Sequence, residues 1–285
     1  MIFRGDSCRS IVFFISVIVF LVSTNGTRAS ELLYPLDVTV SNKDLYIVDR
    51  NVPAIWKVTD GKLSYFFKGS KEFRTPMNAV RCITTDTKGR LIAGDSSTRE
   101  IYRFNQNGQP KPLTNGNILI PLGIVDDGKG NLFVTDLQLG RIWKVPADGG
   151  NPTEFAVVNA PRGITIDVDG NLLVVSSGTK SQLVRISPSG QIDVVIQGRP
   201  FQFPHDIVID KKNIAYISDG YGKAIWKVDS SGKIEKWLSG KPFVNPVGLA
   251  WQGDNLLIAD PRAKMVFQAN PKGELQPLNF QASEK

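Results

Sequence analysis

The chain has 285 residues, 41% of them hydrophobic, with 34 Lys and Arg against 27 Asp and Glu and a formal charge of +7. This composition excludes wholesale disorder, and 26 Gly with 17 Pro are too few for a collagen-like or low-complexity chain. One histidine and two cysteines exclude a multi-histidine metal site within a single chain and any disulfide framework.

The first predicted element is a leader. Arg4 and Arg9 precede residues 11–22, a run of twelve that is apolar apart from Ser16, and a polar stretch then ends in Thr27-Arg28-Ala29. Charged, apolar and small-polar segments in that order make a secretory signal peptide. Twelve residues of helix rise about 18 Å, short of a hydrocarbon core of about 30 Å. Cleavage is expected after Ala29. Residues 1–29 are then the signal peptide and residues 30–285 the mature domain, secreted or periplasmic, with no stable membrane span. An uncleaved anchor is the alternative reading of the same segment. Cys8 lies ahead of the apolar run, so cleavage removes it and leaves Cys82 with no partner for an internal disulfide.

From Leu36 onward one pattern recurs six times. An alternating apolar run, an Asp-Gly-like turn and a second apolar run ending in Asp are followed by a third run such as Ile-Trp-Lys-Val and a Gly turn. The second run ends at Asp49, Asp95, Asp136, Ser176, Asp219 and Asp260, spaced 40 to 46 residues apart. The third run begins at Ile55, Ile101, Ile142, Leu183, Ile225 and Val266. Each run is short, rich in Val, Ile, Leu and aromatics, and bounded by turns such as Asp60-Gly61, Asn107-Gly108, Asp148-Gly149 and Ser189-Gly190. Alternation with period two, as in Ile164-Thr165-Ile166-Asp167, predicts strands, and a fourth follows each Gly turn, as at Lys233 to Leu238. Four antiparallel strands in a repeat of this length make one propeller blade, because an isolated blade leaves two apolar faces wet until neighbours stack on them. The predicted fold is all-β: a six-bladed β-propeller after the signal peptide. Residues 30–33 are the candidate for an added closing strand.

Trp56, Trp143 and Trp226, with Tyr102 and Phe267, hold one place in their repeats, which predicts blade-to-blade packing rather than a stacking platform. The recurring Asp is expected to accept hydrogen bonds from backbone N–H groups of the following turn rather than to ligate a metal.

The string Pro121-Leu122-Gly123-Ile124 through Gly130-Asn131-Leu132 to Asp136, repeated from Pro161-Arg162-Gly163-Ile164 through Asp169-Gly170-Asn171-Leu172, resembles the NHL repeat. The resemblance covers all six repeats. It implies the architecture and leaves the activity open, since NHL-type propellers include extracellular sensors, protein- and RNA-binding modules and a few enzymes. The gluconolactonase/regucalcin family is similar in its six-bladed ring and implies a divalent cation in the channel, held by Glu, Asn and Asp at the starts of inner strands. The corresponding residues here are Leu36, Arg81, Leu122, Arg162, His205 and Val247, with Asp37, Asn78 and Asp206 nearby. Pro204-His205-Asp206-Ile207 resembles a signature of the peptidyl-hydroxyglycine amidating lyase propeller, whose zinc takes three histidines; this chain has one.

In a propeller the channel mouth is built from inner-strand starts and from the connections between second and third strands. Those connections carry Arg50, Arg99, Arg141, Lys180, Lys223 and Arg262 with Lys264. Arg81, Arg162, His205, Asp206, Asn78 and Arg141 are therefore the candidate ligand-binding residues, as a positive funnel suited to carboxylates, sulfates or phosphates. No catalytic residue is assigned: Gly-x-Ser-x-Gly, His-Glu-x-x-His and Walker motifs do not occur. The reading is a monomeric, exported, non-catalytic binding or scaffold module for an anionic small molecule, a glycan or a protein, not a nucleic acid. It needs no cofactor. The alternative is a lactonase-like hydrolase or lyase with a site near Asn78, His205 and Asp206, for which a divalent cation in the channel is expected.

Overall fold

The computed structural model describes Met1 and residues 32–282; the leader and its cleavage point lie outside the described residues. The described strands form six sheets, five of four strands and one of five. The fold is the six-bladed propeller, each blade an antiparallel meander of consecutive chain. Blade 1 runs through Pro35–Ser41, Asp44–Asp49, Ala54–Thr59 and Lys62–Lys68. The inner strands of blades 2 to 6 are Val80–Thr85, Pro121–Asp126, Pro161–Ile166, Pro204–Ile209 and Leu249–Gln252. They touch in ring order, and blade 1 meets blade 6 to close the circle. No helix among the described residues is long and apolar enough to cross a membrane.

Alternation decides the packing. One face of each blade points to the preceding blade and the other to the next, so six apolar clusters form, one per interface. Second strands such as Leu91–Asp95 and Leu172–Ser176 are buried throughout, since both faces are covered. Ile47, Ile92, Val134, Val174, Ile217 and Ile258, one per blade, are each fully buried. Tyr102 and Phe267 are buried in their interfaces, whereas Trp56, Trp143 and Trp226 are partly covered at the edge of theirs. The indole Nε1 of Trp143 and of Trp226 points at the recurring carboxylate, 3.4 Å from Asp136 and 3.3 Å from Asp219.

That carboxylate is a blade-internal clamp. Asp49, Asp95, Asp136, Asp219 and Asp260 are all at most 1% exposed. Each accepts backbone N–H groups from the turn that follows it and also from the segment that precedes its own inner strand. Asp49, for example, takes Leu33, Tyr34, Asn51 and Val52. One buried anion thus satisfies donors that two loops would otherwise strand in the interior. In blade 4 the hydroxyl of Ser176 makes a reduced version, donating to the Asn159 carbonyl and accepting from the Gly178 N–H.

Closure differs from the expectation for residues 30–33. Leu32 is buried between blades 6 and 1, and Leu33 and Tyr34 are the loop clamped by Asp49, so the described part of that segment is no strand. Every blade is already complete from consecutive chain, which leaves only an outer edge open. Gln281–Ala282 fills it, pairing in parallel with Lys62 and Leu63 of blade 1. Leu278 and Phe280 pack on the same apolar cluster as Leu32, tying the C-terminal end to the first blade.

Candidate functional site

Each inner strand starts at one end of the channel. The connection between second and third strands returns to that same end, because one antiparallel step separates them. Three positions of every repeat therefore meet there: the residue before the opening position, the residue after it, and the next one inward. In blades 1, 5 and 6 the first of these is Tyr34, Phe203 and Asn245.

Arg162 and His205, from neighbouring blades, are the centre of this mouth. The Arg162 Nη1 lies 3.2 Å from His205 Nδ1. A guanidinium only donates, so Nδ1 accepts and the proton of the neutral imidazole sits on Nε2. Burial, and then the Arg162 charge, push the His205 pKa down to about 3, so the ring is neutral at physiological pH. The Arg162 guanidinium rests on the Phe203 ring at 4.2 Å, Phe203 stacks on Tyr221 with centroids 4.6 Å apart, and Arg262 lies 6.0 Å from the outer face of Tyr221. His205 meets the Phe203 edge at 5.0 Å. Two cations thus bracket an aromatic pair, which fixes the direction of Arg162 without neutralising it.

No carboxylate among the described residues lies within ion-pair distance of Arg162 or Arg81. Burial, opposed in part by Tyr221 and reinforced by the Arg81 charge, lowers the Arg162 pKa to about 10, so it stays charged, and its Nε is buried without a partner. Arg81 is lowered by burial and by Arg50, and its Nε donates to the Ser96 hydroxyl at 2.9 Å. The Asn245 amide oxygen, also buried and unpartnered, packs beside Gly220, where an added Cβ would stand 2.6 Å from that oxygen and 3.1 Å from His205.

One residue further in, the channel turns acidic. Asp206 accepts from its own neighbour Ile207 and from Leu249 of blade 6, both at 2.8 Å. Asp37 does the same with Val38 and with Ile83 of blade 2, again at 2.8 Å. These two carboxylates are inter-blade staples. Their room comes from glycine on the facing strand: a Cβ at Gly163 would stand 2.5 Å from Asp206 Oδ1, and one at Gly248 2.5 Å from the Asp37 Cα. Dense protein on every side but the channel raises the Asp206 pKa to about 7. Burial and the Asp206 charge raise Asp37 well above the usual carboxylate range. Cys82, at the same repeat position, is buried, and its thiol pKa is pushed up by burial and by Asp37. We expect Cys82 to resist an aromatic disulfide reagent in the native protein and to react at once in denaturant; rapid native labelling would contradict its enclosure.

The remaining candidates fall elsewhere. Asn78 lies in the loop ahead of the blade 2 inner strand and donates its amide to the Ser70 carbonyl at 2.9 Å. Arg141 is drawn toward the outer strand of its blade, pairing with Glu154 at 2.7 Å and donating to the Leu139 and Gly140 carbonyls, which takes its charge out of the mouth. Arg50, Arg99, Lys180, Lys223, Arg262 and Lys264 are exposed on the mouth side. A lactonase-type cation does not fit the donors. No group of three or more His, Cys, Asp or Glu suited to a metal occurs among the described residues, and both oxygens of Asp37 and Asp206 already accept backbone N–H groups. Sequence reasoning missed Phe203, Tyr221 and Asn245 as mouth residues. Their signal was positional: Phe203 and Asn245 immediately precede the opening prolines Pro204 and Pro246.

No protein-family model matches the chain. It is 33% identical over 75 residues to the human E3 ubiquitin-protein ligase TRIM32, an alignment covering 26% of this chain and 11% of that protein. The chain therefore matches only about a ninth of the length of that curated relative. Among solved structures it is similar to virginiamycin B lyase from Staphylococcus aureus, solved as a catalytically inactive histidine-to-alanine variant with quinupristin. That comparison has a TM-score of 0.68 and 22% identity, covering 88% of this chain and 86% of the other. A gluconolactonase from Xanthomonas campestris superposes with a TM-score of 0.71 at 14% identity, covering 87% and 88%. The nidogen/laminin complex gives a TM-score of 0.69 at 19% identity, covering 81% and 90%. At these identities the likeness speaks for architecture, and the chain is a six-bladed β-propeller of the fold shared by the lyase, gluconolactonase and nidogen/laminin structures.

Proposed function

We propose that this protein is an exported binding module that captures an anionic ligand at the channel mouth without transforming it. The observation that carries the reading is the enclosed Arg162 guanidinium, charged and unpaired by any described carboxylate. An enclosed, uncompensated charge costs several kcal/mol unless a counterion arrives. The groups around it are mainly donors: Arg162, the Nε2–H of His205, and Arg81 behind them, with the Asn245 amide oxygen the unpartnered acceptor beside them. His205 spends its acceptor nitrogen on Arg162, so it is poorly placed to take a proton from a substrate, which argues for binding over general-base chemistry. The exposed edge of Tyr221 offers an apolar surface beside the cations, suiting a carboxylate or phosphate with a flat or apolar body. The leader-like N-terminus supports export, under which such ligands would be met outside the cytoplasm.

Titration with citrate and with inorganic phosphate at low salt tests this. Arg162→Ala should weaken whichever anion binds by about 1–3 kcal/mol, with the melting temperature preserved. Raising the ionic strength should weaken binding in the parent protein and have less effect on the variant. Equal affinity of parent and variant would remove the anion site. Turnover of a lactone with a stoichiometric divalent cation would replace the binding reading with the hydrolase alternative. N-terminal sequencing of the exported protein should begin at Ser30; a membrane-bound form starting at Met1 would favour the anchor.

A further inference from the structure

The opposite end of the propeller carries a second concavity, far from the mouth in topology. It lies between blades 5 and 6, where the connections between first and second strands and between third and fourth strands emerge. Its volume is about 710 Å³, within the ordinary range of small-ligand sites. Its walls are aromatic: Tyr216 meets Trp237 at 5.1 Å and 82°, and Trp251 at 5.0 Å and 89°.

The repeat supplies an internal comparison for this interface. The interface between blades 1 and 2 has the same core, with Tyr46 edge-on to Phe66 at 5.2 Å and 85°. There Phe104, the last residue of its third strand, fills the gap and packs against Phe66 at 5.4 Å. The equivalent residue of blade 6 is Ala269, whereas blades 1, 3, 4 and 5 have Val58, Val145, Ile186 and Val228. Ala269 is fully buried and does not itself line the concavity. Trp251 stands where blades 1 and 2 have Val40 and Thr85, and adds the third wall.

The polar groups also depart from the repeat. In blades 1, 2 and 4 the third-strand cation pairs with a carboxylate near the first turn: Lys57 with Asp44, Arg103 with Asp86, Arg185 with Asp167. In blade 5 the Tyr216 hydroxyl points at Asp210 instead, at 3.4 Å. Lys227 has no carboxylate partner among the described residues, and its ammonium lies over Trp237 at 4.5 Å and Tyr216 at 5.3 Å. Four lysines and four carboxylates line the concavity, so its formal charges balance. A strong anion meets the carboxylates, a cation meets the lysines, and a purely apolar ligand meets a charged rim.

We propose that this concavity binds a neutral saccharide, an uncharged sugar ring or short oligosaccharide. Its C–H face would lie on the Trp237 and Trp251 indoles, and its hydroxyls would bond to Lys227 and to the carboxylates of the rim. Indoles pack the apolar faces of sugar rings, while paired donors and acceptors match hydroxyls that both give and take hydrogen bonds. The site is independent of the anion-binding mouth.

Tryptophan fluorescence during titration with maltotriose, cellotriose and chitotriose is the test. At least one should give a saturable change at millimolar concentration, insensitive to salt and unaltered by Arg162→Ala. Lys227→Ala should weaken it about tenfold, an effect of about 1.4 kcal/mol. Trp251→Val, which restores the residue type that blade 1 has at Val40, should abolish it while the melting temperature stays close to that of the parent. No response to any of the three sugars, or undiminished binding by a folded Trp251→Val, overturns the proposal. Loss of binding on raising the salt would identify an anion site instead and overturn it equally.

Discussion

Asp219→Ala should destabilise the protein by about 3–5 kcal/mol, a large part of the stability of an ordinary domain. Asp219 Oδ1 accepts from the Phe203 and Gly222 N–H groups, and Oδ2 from the Gln202 N–H and the Trp226 indole. At 1% exposure no water replaces the lost carboxylate, so three backbone donors and one indole donor go unsatisfied together. Ser176→Ala is the comparison within the same protein. Its hydroxyl makes two hydrogen bonds at the equivalent place and should cost about 1 kcal/mol. Denaturant titrations of both variants read the difference, and an Asp219→Ala loss no larger than that of Ser176→Ala would refute the clamp. Since Phe203 carries the Arg162 guanidinium, Asp219→Ala should also weaken the anion site in whatever fraction remains folded.

The second large effect is a dependence of stability on pH. The folded pKa of Asp206 is raised to about 7, and that of Asp37 is raised by burial and by Asp206. A carboxylate with a raised folded pKa contributes stability that is complete below its unfolded value, about 3.9, and is lost as pH rises through the folded value. Lowering the pH from about 8.5 to about 6.5 should therefore stabilise the protein, by about 1–2 kcal/mol once the water admitted by the channel is allowed for. His205 acts with the opposite sign. Its folded pKa of about 3 is below the unfolded value of 6.5, so the unfolded chain takes up the proton first and stability drains away below pH 6.5. The rise should flatten there. Asp86 and Asp127, whose pKa values are lowered, withdraw their contributions only at still lower pH. Asp206→Asn should flatten the rise between pH 8.5 and 6.5, and His205→Gln should steepen it below 6.5. A melting temperature that falls from pH 8.5 to 6.5 in the parent protein would show that the channel carboxylates are not held protonated.

The architecture was legible in the sequence because a blade is specified locally. Period-two alternation, Gly turns and the recurring Asp act within one repeat of about 42 residues, and six copies state the rule six times over. The staple pair Asp37 and Asp206 was visible only as two departures from the glycine or cysteine found at that position in other repeats. Their interaction arises across the channel, where no local pattern reports it. The same limit applied to charge. Arg141 and Arg162 look alike as basic residues at the channel-mouth end of their blades, yet Glu154 on the outer strand captures one and leaves the other over Phe203. Trp251 was present in the sequence as the one aromatic residue in its repeat column. It became the wall of a concavity only when Tyr216 and Trp237 of the neighbouring blade were brought against it. Local propensity and repetition determine which strands form and how they stack. Which charges are neutralised and which spaces stay open is decided by side chains from different blades competing for the same few ångströms, and only the closed ring sets those distances.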